Sequence, residues 1–254
     1  MSIFDNFLFS KKFLNDDTKE IFQHLPNALS DLISWKEMLS EVTTLSNRLI
    51  TGKGAGTVKN DLRSVISSEI VFVETLSAKK LTPEYGEILL KIYFSQVMHS
   101  KLLFLDLRSK HFSLSDKSPE AVQWKPGNLW AELDEEFSIG IQMVYKGYYA
   151  DDDVVFAEGL KKCQLVKSHW SEEQQHEVFE VFKKHFSNGR EEKIHFSLEH
   201  FQKSFSAIFK TLIKNKIRLD KNFLYLGVML VTLYMALDEI GGDYDVAKIF
   251  NEVA

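Results

Sequence analysis

The sequence predicts an all-α fold, a bundle of about nine helices packed around a central, buried apolar helix at residues 223–240. Three observations carry this. Apolar residues recur every three or four positions along most of the 254-residue chain, and no stretch of useful length alternates with period two. Four Pro and twelve Gly are few for a protein built on tight turns. Twenty Phe and a hydrophobic share of 44% supply a sizeable core.

The elements are expected in the following order. Asp16 and Asp17 are placed to cap a short helix ending near His24, before Pro26. Residues 27–50 put Leu29, Leu32, Leu39, Val42, Leu45 and Leu49 on one stripe, and Gly52 and Gly54 stop that helix. Residues 58–79 repeat the pattern with Leu62, Val65, Ile66, Ile70, Val73 and Leu76. Thr82-Pro83 offers a capping hydroxyl and then proline in the first turn, so a helix is expected from Pro83 to about His111. Its middle, ILLKIYFSQVMHSKLLFLDL, is apolar nearly all round and therefore central.

Residues 113–128 contain Ser, Asp, two prolines and Gly127. They read as a linker or long surface loop between an N-terminal helical region, 1–112, and a C-terminal one, 129–254, which can share one core. A helix over 129–149 should follow, then one capped by Asp152 or Asp153. Ser171-Glu172-Glu173-Gln174 forms a capping box for a helix to about Phe186. A polar loop at 187–196 holds Asn188-Gly189, and Ser197 caps a helix to about Lys216. Asp220 caps the apolar helix, Gly241-Gly242 end it, and Asp243 or Asp245 opens a last short helix. The uninterrupted apolar run, 223–237, is 15 residues long with acids at both ends. A membrane span needs about 20, so this helix reads as buried in protein.

A net charge of −5 disfavours nucleic acid as a partner. The run 203–218 has five basic residues and no acid; it reads as a solvated helix face, with peripheral membrane contact as a further use. The single Cys163 forms no internal disulfide and reads as a small buried hydrophobe in a reducing, cytoplasmic compartment. The N-terminal MSIFDNFLFSKKFLNDD lacks a signal-peptide pattern and reads as an amphipathic segment docking on the protein's own core.

Few residues suggest chemistry. GKGAGT at 52–57 lacks the Walker spacing and reads as a helix–helix turn. No G-x-S-x-G elbow is present. Glu173 and His176 put a carboxylate and an imidazole on one helix face and are the candidate metal ligands. A di-iron site needs a second such pair, and the nearest match is Gln96-x-x-His99, where glutamine is a poor ligand. His99 lies among Val97, Met98, Leu102 and Leu103, so a buried, hydrogen-bonded histidine is expected. Asp106 follows two turns on. His99, Asp106, Met98 and Tyr234 of the central helix define the candidate ligand pocket.

Three stretches carry a family resemblance: 133–166 (LDEEFSIGIQMVYKGYYADDDVVFAEGLKKCQLV), 200–242, with its amphipathic helix, basic link and apolar helix, and 244–254 (YDVAKIFNEVA). In apolar spacing, 129–254 resembles the C-terminal helical region of the UbiB/AarF family of atypical kinase-like proteins. Members carry a lysine-bearing strand, an alanine-rich nucleotide loop, a K-x-G-Q extension, a catalytic-loop acid and a metal-binding D-F-G. None is readable here. KPGN at 125–128 is similar to the family's catalytic-loop P-G-N, without the aspartate that should follow. The resemblance implies a helical sub-domain without nucleotide machinery, and a link to quinone biosynthesis and membranes.

The expected function is a non-enzymatic helical binding or scaffold protein that needs no cofactor and recognises a protein partner, a second copy of itself or an apolar small molecule. The alternatives are a degenerate kinase-like protein, or a helical enzyme holding a metal or cofactor through His99, Glu173 and His176.

Overall fold

Capping chemistry sets most helix boundaries. The computed structural model describes residues 16–25, 28–116, 121–167, 169–186 and 193–254. The N-terminal amphipathic stretch as far as Asn15 and the Asn188-Gly189 loop lie outside them. Helices α1 (Asp16–Phe22), α2 (Leu29–Leu32), α3 (Trp35–Thr51) and α4 (Ala55–Leu62) come first. The helix expected over 27–50 is broken at Ile33, whose extended backbone precedes Ser34, the cap of α3. Strand β1 (Ile70–Phe72) follows, then a 3-10 turn (Pro83–Tyr85) that runs into α5 (Gly86–His99). Next come β2 (Leu102–Phe104), a 3-10 turn (Ser109–His111), β3 (Phe112–Leu114), β4 (Val122–Trp124) and β5 (Trp130–Glu132). The C-terminal part holds α6 (Glu135–Tyr149), α7 (Asp153–Lys162), α8 (Glu172–Phe186), β6 (Ile194–His195), α9 (Leu198–Lys214), α10 (Lys221–Ile240), β7 (Asp243–Tyr244) and α11 (Val246–Val253).

Several caps fall on their expected residues. Asp152 accepts from Val154 and Val155 N–H at 3.0 Å, Ser197 from His200 at 3.1 Å, Asp220 from Asn222 at 2.8 Å and Asp245 from Lys248 at 2.9 Å. Ser171 and Gln174 exchange both bonds of a capping box at 3.3 Å. Gly241, with φ +75°, ends α10.

The all-α expectation needs correction. Helices hold 62% of the described residues, among which short strands also form three small sheets. One sheet has the order β1-β4-β3, with β1 parallel to β4 (Ile70 opposite Val122, Phe72 opposite Trp124) and β3 antiparallel to it. The helix expected over 58–79 therefore stops at Leu62. The β-branched run beyond it pairs with a distant strand, and Phe72 stacks on Trp124 with ring centroids 5.0 Å apart. Residues 113–128, expected as a linker or surface loop, supply part of β3 and all of β4, and Trp124 is fully buried. The helix expected from Pro83 to His111 ends at His99, because Leu102–Phe104 pairs with Trp130–Glu132. That pairing also shortens the helix expected over 129–149, which begins at Glu135.

A continuous apolar core runs from Ile21 to Phe250. Its axis is α10, in which Leu224, Val228, Met229, Val231, Ala236 and Leu237 are fully buried. By length and composition α10 could cross a membrane, yet here it is packed among the protein's own helices. The segment 103–108 crosses the core beside it as non-helical backbone. All six of its residues are buried. Buried peptide groups need partners, and this segment finds them. Phe104 N–H donates to Gln96 Oε1 at 2.7 Å, Leu105 N–H to Leu129 O at 2.9 Å, and Leu107 N–H to Thr232 Oγ1 at 3.1 Å. Thr232, fully buried on α10, donates in return to Leu105 O at 2.6 Å.

Helices α6 and α7 form a hairpin at backbone contact. A Cβ on Gly147 would stand 2.3 Å from Phe156 N, and one on Gly159 would stand 2.6 Å from Val144 N. Neither neighbour is a flexible side-chain tip, so the hairpin would have to open. Gly147→Ala is therefore expected to destabilise the protein by about 1–3 kcal/mol or more, despite alanine's better helix propensity. Urea denaturation followed by circular dichroism checks this; an unchanged or higher midpoint would contradict the backbone contact.

Candidate ligand cavity beside the central helix

The residues singled out from sequence go to different places. His99 is exposed, not buried: it is the last residue of α5, and its Nε2 lies 2.6 Å from Val253 O on α11. The expectation failed because the helix ends at His99 itself. Met98 beside it is buried. Asp106 is buried, but its partners are Arg108 and His111. Arg108 Nε donates to Oδ1 at 2.8 Å, Arg108 Nη2 to Oδ2 at 2.6 Å, and His111 Nε2 lies 2.9 Å from Oδ2. Arg108 also pairs with Glu20 on α1. This cluster fixes the 103–108 segment to α1. Glu173 and His176 are exposed on α8, where His176 Nδ1 lies 3.9 Å from Glu180 Oε1. Among the described residues no three His, Cys, Asp or Glu side chains converge as metal ligands. Cys163 is buried, and burial pushes its thiol well above the usual range.

Tyr234 lies elsewhere, on the wall of a cavity of about 280 Å³. One wall is α5, with Leu90, Tyr93 and Phe94; α6 adds Tyr145 and Tyr149. The end of α8 contributes His185 and Phe186, and α10 contributes Leu230, Leu233 and Tyr234. Lys193, β6, Phe196, His200 and Val246 complete the lining. Aromatic rings meet edge to face around it: Phe94 with Tyr145 at 5.5 Å, Tyr145 with Phe186 at 5.5 Å, and Phe196 with Tyr234 at 4.9 Å.

The polar tips in this aromatic shell divide into two groups. Tyr93 and Tyr145 hydroxyls satisfy each other at 2.5 Å. The hydroxyls of Tyr149 and Tyr234 make no hydrogen bond among the described residues, although Tyr234 is only 9% exposed. Burial holds all four phenols above their ordinary pKa, Tyr145 at about 12, so each remains an O–H. His185 Nδ1 bonds Ser204 Oγ, while its Nε2 has no partner among the described residues. Burial, with a smaller push from His200, brings the His185 pKa down to about 4, so the ring is neutral at pH 7.

Tyr145, His185, Phe186 and Leu230 also line a second, deeper cavity of about 70 Å³. Its other walls are apolar, among them Leu29, Ile141, Leu160, Phe201, Phe209 and Leu226. Gly227 on α10 also faces it. A Cβ there would meet only Leu25 Cδ2, at 3.6 Å. No close approach requires this glycine, which costs about 1 kcal/mol against alanine inside a helix. What it leaves is room in the deep chamber.

No protein-family model matches the chain, and no curated protein matches it at a significant level. Of the residues grouped from sequence, only Tyr234 lines this cavity; Tyr93, Tyr145, Tyr149, His185, Lys193 and His200 were not singled out for it. A signal existed: polar-tipped aromatics stand inside apolar stretches of α5, α6 and α10. Only packing reveals that they face one space.

Two pH effects follow. The Asp106 carboxyl would be raised by burial, but hydrogen bonds from Arg108 and His111 outweigh this and hold it well below the usual carboxylate range. Its contribution is thus complete above its unfolded pKa, near pH 4, and lost as pH falls through the lower folded value. Asp106→Asn should cost about 3–5 kcal/mol at pH 7, because it leaves Arg108 buried beside a neutral group. A loss under 1 kcal/mol in urea titration would contradict this. His185 acts at higher pH: its folded pKa of about 4 lies below the ordinary 6.5. Stability should fall as pH drops from about 6.5 towards 4, by roughly 1–3 kcal/mol, since the unfolded chain takes up the proton first. His185→Gln should flatten that part of the urea-midpoint profile.

Proposed function

We propose that this protein binds a small molecule with an apolar body and a polar end in the aromatic cavity beside α10. The observation that carries the reading is the pair of hydroxyls on Tyr149 and Tyr234, which have no hydrogen-bond partner among the described residues. Neither hydroxyl oxygen is among the buried atoms left without a partner, so both are open to the cavity, where a ligand oxygen can take the place of water. The aromatic walls supply apolar contact of low conformational cost.

The protein-partner reading has less to support it. The large exposed apolar side chains, Ile50, Val71, Ile139, Val154 and Ile213, lie on five different elements, one on each. The kinase-like reading also gains little. Asn128 of KPGN donates to Leu49 O at 3.2 Å, and Trp130 Nε1 donates to Lys53 O at 2.9 Å. GKGAGT and KPGN are thereby engaged with each other's surroundings as structural turns. A helical sub-domain of UbiB/AarF type, free of phosphoryl transfer, is compatible with the cavity reading.

The test combines native mass spectrometry of the purified protein with thermal-shift titration of n-alkanols and 4-alkylphenols. Binding at one equivalent with a raised Tm is expected. Tyr234→Phe should weaken binding about 5–10-fold while leaving the free protein as stable or more so, because the lost hydroxyl had no partner. Binding by none of the probes, or a Tyr234→Phe protein that binds unchanged, would overturn the reading.

A further inference from the structure

We infer that the ligand is a carboxylate amphiphile, with its anionic head at the Lys193 mouth and an aliphatic tail pointing into the deep chamber; this rests on the cavity reading above. Three observations lead there. First, the cavity offers donors and no anion. Lys193, His200, Tyr149 and Tyr234 line it, and no Asp or Glu does so among the described residues. Second, Lys193 forms no ion pair among the described residues, and nearby Asp243 lies 3.1 Å from His195 Nδ1. Three half-buried lysines are matched, Lys91 with Glu252 at 2.9 Å, Lys59 with Glu74 at 2.7 Å and Lys221 with Asp134 at 3.0 Å; exposed lysines such as Lys53, Lys146 and Lys210 share with Lys193 the lack of an ion pair among the described residues. Third, polarity falls in one direction. Tyr145, His185, Phe186 and Leu230 are shared with the smaller cavity, whose remaining walls, Gly227 among them, are apolar.

These features select among ligand classes. Aromatic faces alone would suit a cation, but an unpaired ammonium at the mouth repels one. A neutral alcohol would satisfy the tyrosines and leave Lys193 idle. A carboxylate accepts from tyrosine hydroxyls and lysine together, in charge-assisted bonds about twice as strong as neutral ones. Its alkyl chain fits walls that offer no hydrogen bond.

The experiment uses the full chain and isothermal titration at pH 7.5 with octanoate, octanol and octylammonium, at low and high salt. Octanoate should bind at least about tenfold tighter than octanol, with the advantage shrinking as salt rises. Octylammonium should bind more weakly than either. Lys193 is exposed, so Lys193→Met should fold normally; it is expected to bring octanoate to the octanol level and leave octanol unchanged. Gly227→Val should weaken decanoate and dodecanoate more than hexanoate. Circular dichroism and a retained Tm confirm that each variant is folded. Equal affinity for octanoate and octanol would overturn the anionic class while the cavity reading stands. Failure of all three probes would overturn both. An octanoate preference that survives Lys193→Met would overturn the placement of the head, and a uniform effect of Gly227→Val on chain length would overturn that of the tail.

Discussion

Non-helical backbone inside a helical core is the constraint on which this structure depends. Six consecutive buried residues, 103–108, cannot satisfy their own peptide groups as a helix would. Most partners are supplied from elsewhere, Gln96 from α5, Leu129 and Ala131 from the chain entering and forming β5, and Thr232 from α10, while Arg108 N–H donates to Asp106 Oδ1 within the segment. The same logic explains the buried ion cluster. Asp106 and Arg108 sit inside because they answer each other and His111, and Arg108 reaches on to Glu20. An isolated charge there would cost several kcal/mol; a network of hydrogen-bonded partners does not.

Threading this segment through the core decides what surrounds it. It occupies one side of α10, where Thr232 points. Tyr234, Leu230 and Gly227 face cavities. There the packing is carried by large aromatic rings from α5, α6, α8 and α11. Several of these rings meet at 80–90°, as Phe94 and Tyr145 do. Two hydroxyls close on each other and two remain turned to the space. The cavity thus joins apolar walls to a few donors, the usual composition of a small-molecule site.

The candidate site was legible only in fragments. Tyr234 was grouped with His99 in one candidate pocket. His99 stood out as a polar residue inside an apolar helix and misled, because the inference depended on a helix continuing through Ser100. Ser100 instead hydrogen-bonds Asp61 and Leu102, and the chain turns into a strand. Asp106 was grouped with His99, but it is buried against Arg108 and His111, which lie at the end of the same misjudged helix or past it. Lys193, His185 and His200 resemble ordinary surface residues along the chain; their role depends on α8 and α9 meeting near α10.

Local sequence by itself determined where most helices begin and end, because a capping side chain and its N–H groups lie within three residues of each other. Asp152, Ser171, Ser197, Asp220 and Asp245 are such cases. A nearly all-round apolar composition also determined the burial of α10. Tertiary structure alone decided the strands and the cavity. Ile70 and Val122 are adjacent only after the chain has folded, and so are Leu103 and Ala131. In each pairing a short apolar run that suits either a helix or a strand takes the form its distant partner can hydrogen-bond.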